Sequence, residues 1–131
     1  MNSRTLRAGG LLAAAASVLL LAACSGGAKT PDVAGAWGDP DERGKPSLEF
    51  TPADDGAAGE VGGNDGCNVL GASYKIADDV IEFGVVRSTM MFCEGVDTWL
   101  SQAHTATVDG DTLHVKSEDG AEIGTLTRSS K

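Results

Sequence analysis

Basic residues are scarce in this chain: 10 lysines and arginines stand against 19 acidic residues over 131 positions, a net charge of −9. Such a surface repels phosphate backbones and anionic headgroups, which argues against nucleic acid as a partner and against a charge-driven role on a membrane surface. Histidine is scarcer still, with only His104 and His114. No serine stands in a Gly-x-Ser-x-Gly elbow, so neither histidine has an evident nucleophile to activate. There is no Cys-x-x-Cys unit. Asp54-Asp55, Asp78-Asp79 and Asp109-Gly110-Asp111 lack the alternating carboxylates and distal glutamate of a calcium loop and read as solvated turns. The sequence therefore leads us to expect no catalytic residue, no metal site and no cofactor. No internal repeat is present.

Long apolar runs are missing as well, with one exception. Leu11 to Ala23 is largely apolar, preceded by Arg4 and Arg7 and followed by Ser25-Gly26-Gly27. Thirteen residues rising about 1.5 Å each cover roughly 20 Å, short of the ~30 Å hydrocarbon core. No cationic stop-transfer cluster follows; the next basic residue is Lys29. Basic start, short apolar middle and small-residue exit describe an export signal. Leu21-Ala22-Ala23-Cys24 looks like a bacterial lipobox. That resemblance implies cleavage before Cys24, a diacylglycerol on its thiol and a lipid anchor at the extracytoplasmic face of a cell membrane. The alternative is a plain secretory signal. Two or more fatty chains hold a protein stably where one does not. On this reading residues 1–23 are the signal peptide, 24–32 the lipidated cysteine and a flexible tether, and 33–131 the folded domain. Arg4 and Arg7 leave with the signal, so the mature chain carries 8 basic and 19 acidic residues, net −11.

Only three cysteines occur. With Cys24 assigned to the lipid, Cys67 and Cys93 remain as a pair, expected to form a disulfide in an oxidising compartment. Closing a loop of about 26 residues contributes roughly 3–4 kcal/mol in the chain-entropy model. A two-thiolate metal site assisted by His104 or His114 is the alternative.

From Val33 onward short alternating segments are punctuated by turns. Trp37 anchors the first strand. Leu48 and Phe50 share one face of 47–51, Tyr74 and Ile76 one face of 72–77, Ile81 and Phe83 one face of 80–83, and Leu113 and Val115 one face of 112–116. One segment breaks the period: Val96, Trp99, Leu100 and Ala103 fall at i, i+3, i+4 and i+7, which predicts an amphipathic helix from about Gly95 to His104 with Trp99 as a core plug. The expected fold class is α+β: a mainly antiparallel, strongly twisted sheet or partly open barrel with one packed helix.

Two motifs recur in order. Gly66-Cys67-Asn68 is followed by Gly71 and Tyr74, and Ser88-Thr89 by Met90, Met91 and Cys93, with Gly35 and Trp37 upstream. This pattern resembles the META domain family, whose members include a heat-shock-inducible bacterial envelope protein. The resemblance spans nearly all of 34–127. It departs at Gly38-Asp39-Pro40, where family members continue an apolar strand, and at Phe92, where a small residue is usual. It implies a compact β-rich domain with one helix, an envelope setting and no defined reaction. Apart from the resemblance, Gly62, Gly63 and Gly66 permit a tight bend before a crosslink. Asn68 suits a clamp on nearby backbone, and Thr89 can satisfy a backbone group beside the disulfide. A glycine-rich phosphate cradle, the alternative, needs a following helix and a lysine. Met90, Met91 and Phe92 are expected to pack in the core, with a partner or ligand groove as the second reading. Two functions follow: a non-enzymatic envelope lipoprotein that binds a protein partner, or a module for a small hydrophobic ligand or lipid. The oligomeric state is not legible.

Overall fold

Asp78 and Asp79 both sit at positive φ, 51° and 64°. A two-residue type I′ hairpin needs that left-handed conformation, and aspartate tolerates it better than most side chains. They join Ala77 and Val80, which are direct cross-strand partners. The computed structural model describes residues 30–130 and is built almost wholly of such antiparallel strands. They are β1 (Gly35–Gly38), β2 (Ser47–Pro52), β3 (Ala58–Asn64), β4 (Val69–Ala77), β5 (Val80–Phe83), β6 (Arg87–Ser88), β7 (Thr105–Asp109), β8 (Thr112–Lys116) and β9 (Glu122–Thr127).

Neighbours run β1-β2-β3-β4-β5-β7-β8-β9, and β6 lies along the first half of β4 where β5 has left off. The two outer strands meet. Trp37 on β1 bridges Arg128 just beyond β9, and the Ser129 N–H donates to Ala36 O at 2.9 Å. The sheet is thus a nearly closed barrel, which leaves little free edge. The registers place the start of β1 at the same end as loop 53–57 and hairpins 78–79 and 110–111. Loops 39–46, 65–68 and 117–121 and the excursion 84–104 lie at the other end.

Strand alternation decides the interior. Leu48, Phe50, Leu70, Ala72, Tyr74, Ile81, Phe83, Leu113 and Val115 point in, while Glu49, Ser73 and Lys75 point out. Phe50 meets Tyr74 edge-on, with ring centroids 5.0 Å apart. The Tyr74 hydroxyl is buried and has no hydrogen-bond partner, and burial raises its pKa above the usual 10.0. Removing an unpaired buried hydroxyl recovers its desolvation cost, so Tyr74→Phe is expected to leave stability unchanged or raise it by up to about 1 kcal/mol in urea unfolding. The sign in pH follows. With the folded pKa above the unfolded one, Tyr74's contribution is intact below pH 10 and is lost as pH rises through the folded value. Tyr74 is the only tyrosine, so an ultraviolet absorbance titration reads it alone.

The α+β expectation is corrected. Among the described residues the helical content is one 3₁₀ turn, Trp99–Gln102, and the fold is an all-β barrel. The apolar spacing at 96–103 marks burial without marking a helix: Leu100 is fully buried, and Trp99 and Ala103 pack against the core. Three features stop a helix there. Gly95 takes φ 76° and Thr98 takes φ −92°, ψ 34° with no capping side-chain bond. At the far end the sheet captures His104, whose N–H donates to Lys116 O while its carbonyl accepts from Phe83 N–H. The remaining stretch is shorter than a stable helix requires. Trp99 is half-buried, its ring laid so close over Gly124 that a Cβ there would come within 2.6–2.7 Å of it.

Candidate functional site

The β3–β4 connection carries the densest polar network of the described chain. Asp65 accepts on one carboxylate oxygen from the Cys67 N–H at 2.9 Å and the Asn68 N–H at 2.6 Å, an aspartate turn that aims the next two residues. Gly66 follows at φ 98°, and a Cβ there would stand 2.9 Å from Gly44 O and from Val96 Cγ1. No other residue fits that bend. Asn64 extends the network, accepting from the Gly66 N–H and donating to Ser47 Oγ.

Asn68, buried, then reaches across to the 84–104 excursion. Its Oδ1 accepts from the Thr89 hydroxyl at 2.9 Å and the Met91 N–H at 2.6 Å, while its Nδ2 donates to Met91 O at 3.2 Å. Thr89 Oγ1 in turn accepts from the Val69 N–H, and the Thr89 N–H donates to Val69 O. Two residues beyond Met91, Cys93 is joined to Cys67 with their Cα atoms 5.8 Å apart. Asn68 and the disulfide therefore hold one segment at two points, either side of residue 92. The pairing leaves neither sulfur free as a metal ligand.

The segment so held points outward. Met90 is 95% exposed, Met91 60% and Phe92 90%, and Val69, bonded beside Thr89, is 64% exposed. The core-packing expectation for Met90, Met91 and Phe92 is overturned. Asn68 takes up the backbone of Met91 and the disulfide takes up Cys93, so the turn has no freedom left to fold its side chains inward. Tyr74 lies inside the barrel, away from this end. Cys24 lies outside the described residues.

The histidines are separate. His104 is exposed; His114 Nδ1 stands 2.5 Å from Glu122 Oε1 on the barrel wall, and among the described residues no serine hydroxyl is bonded to the pair. Among the described residues no three histidine, cysteine, aspartate or glutamate side chains gather as a metal set. A narrow apolar pocket lined by Leu48, Val61, Phe83 and Leu100 measures about 10 Å³, about the size of a single water site.

Two residues that sequence reasoning passed over hold the architecture. Asp65 is 1% exposed, and its second carboxylate oxygen has no partner. An aspartate two residues before a Cys-Asn step was a readable turn signal. Arg128 lies with its guanidinium carbon 4.2 Å from the Trp37 ring centroid, donates to Ala34 O and Asp32 O, and sits 3.6 Å from Asp111. Nothing local marks it, since an arginine near a chain end reads as solvated.

Fold and site together define a small antiparallel barrel whose one long excursion is pinned by a Gly-Cys-Asn turn and a disulfide. The META domain family model matches residues 21–130, and the chain belongs to the META domain family. That family is not a known enzyme family. No curated protein and no solved structure matches the chain.

Proposed function

We propose that this META-domain chain is a lipid-anchored extracytoplasmic protein of the cell envelope that works by binding a protein partner and catalyses no reaction. The observation that carries the reading is the exposed tip of Met90, Met91 and Phe92, held rigid from behind by Asn68 and the Cys67–Cys93 bridge. An apolar cluster presented to solvent on a pinned loop marks an interaction surface. The reading as a hydrophobic-ligand module has less support, because the apolar pocket between Leu48, Val61, Phe83 and Leu100 offers about 10 Å³. The lipobox-like Leu21-Ala22-Ala23-Cys24 supports the anchor, and the family's heat-shock-inducible member supports envelope stress as the setting.

Cys24→Ser in the full chain is expected to shift the protein from the membrane pellet to the soluble fraction. Unchanged membrane retention would reject the anchor. Pull-down of the lipidated protein, run beside native mass spectrometry, separates the two binding readings. A co-purifying protein supports the first, and an acyl chain retained beyond the anchor replaces it with the second.

A further inference from the structure

The apolar tip and the start of β1, where the described chain begins, lie at opposite ends of the barrel. Val33 is buried where β1 begins, beside the end of β2 and loop 53–57. The tip lies beside Asn68 and Val69, where β4 starts. The length of β4 between the two ends is about 26 Å at ~3.3 Å per residue. Nine steps of chain separate Cys24 from Val33. A chain of nine steps reaches about 30 Å when drawn straight and spans roughly 15–18 Å root-mean-square as a random coil. For the tip to enter the bilayer that holds Cys24, the tether would have to run nearly taut down the barrel wall.

Charge points the same way. Glu94 and Asp97 follow the tip in sequence and are exposed. Of the cations at this end, Arg87 lies over Gly71 on the barrel wall, and Arg43 and Lys45 flank Gly44, which meets Gly66, in a loop that also carries Asp39, Asp41 and Glu42. Anionic headgroups are repelled by this rim and by the net charge of the mature chain. A second copy of the chain would set the same carboxylates against each other, which costs affinity. Methionine adapts to irregular apolar surfaces and an aromatic ring serves as an anchor. Since the backbone is already fixed at Asn68 and Cys93, little ordering remains to oppose binding.

Resting on the partner-binding reading, we infer that Val69, Met90, Met91 and Phe92 form the docking surface for a protein on the side away from the anchoring membrane, whose apolar cleft is rimmed by lysine or arginine. Wall grooves, the Asp39–Glu42 loop and the unpartnered Asp65 oxygen carry no comparable signal.

The test uses the lipidated full chain in intact envelopes, with a photo-crosslinking benzoyl-phenylalanine at position 92 and, as control, at position 54 on the opposite end. A protein adduct is expected from 92 and none from 54. Recovery of that same protein by pull-down without the crosslinker should fall at least about tenfold with Met90→Ser plus Phe92→Ser, return with Phe92→Leu, and fall several-fold with Glu94→Lys. These side chains are exposed, so thermal melts should match wild type. Adducts to lipid alone, or to a second copy of the chain, overturn the inference. If the partner is recovered undiminished from the serine variant, the tip is not the surface, although partner binding stands. If no partner is recovered from wild type, both readings fall.

Discussion

Trp37→Ala is expected to lower the unfolding free energy by about 3–5 kcal/mol, as for a fully enclosed tryptophan. For a domain near 100 residues, with total stability of about 5–15 kcal/mol, that is enough to leave a substantial unfolded fraction. Three losses coincide. The indole is wholly buried, its Nε1 donates to Val33 O at 3.0 Å, and its face carries the Arg128 guanidinium. Truncation opens a cavity, orphans the Val33 carbonyl and removes the ring beneath the cation. All three lie at the β1–β9 seam, so the damage is directional. Hydrogen exchange at the Ser129 amide, which donates to Ala36 O across the seam, should accelerate more than exchange in β3 and β4. Trp37→Phe keeps most of the volume, loses the N–H and should cost about 1–2 kcal/mol. Equal denaturation midpoints for Trp37→Ala and wild type would show that the seam is not closed by this residue.

Serine at both Cys67 and Cys93 is expected to cost about 3–4 kcal/mol, from the 26-residue separation that the bridge closes. Urea unfolding with and without reductant measures it: wild type in reductant should approach the double-serine variant, and the variant should not respond. The barrel should survive, because the bridge ties the 84–104 excursion to a loop and crosses no part of the core. Asn68 would then be the remaining hold on Met91, with Thr89 still bonded to Val69. Adding Asn68→Ala to the double-serine variant should release the tip, seen as rapid exchange at the Met91 amide. If Met91 stays protected, something other than the clamp positions the segment.

Most of the strands were legible because their signals are local. Alternation put Leu48 with Phe50 and Leu113 with Val115, and Asp-Gly or Asp-Asp steps marked the hairpins. The helix was misread because i, i+3, i+4, i+7 spacing reports which side chains are apolar without reporting which backbone they ride on. Leu100 and Trp99 are needed inside either way. Gly95 behind the disulfide and the capture of His104 by Lys116 and Phe83 decided the conformation, and those partners lie elsewhere in the chain. The tip was misread for the opposite reason. Met-Met-Phe is core composition, and the bonds from Asn68 to the Met91 backbone together with the Cys67–Cys93 bridge turn it outward.

What the sequence determined by itself was family membership, the β-rich pattern, the Cys67–Cys93 pairing and the acidic balance, all of them set by residue identity and short spacing. The tertiary structure decided the rest: closure through Trp37 and Arg128, an interior packed with apolar side chains, and an apolar tip at the end opposite the start of β1. Those depend on which distant backbone groups each side chain meets, and in a sheet closed on itself the partners are fixed by register across the whole barrel.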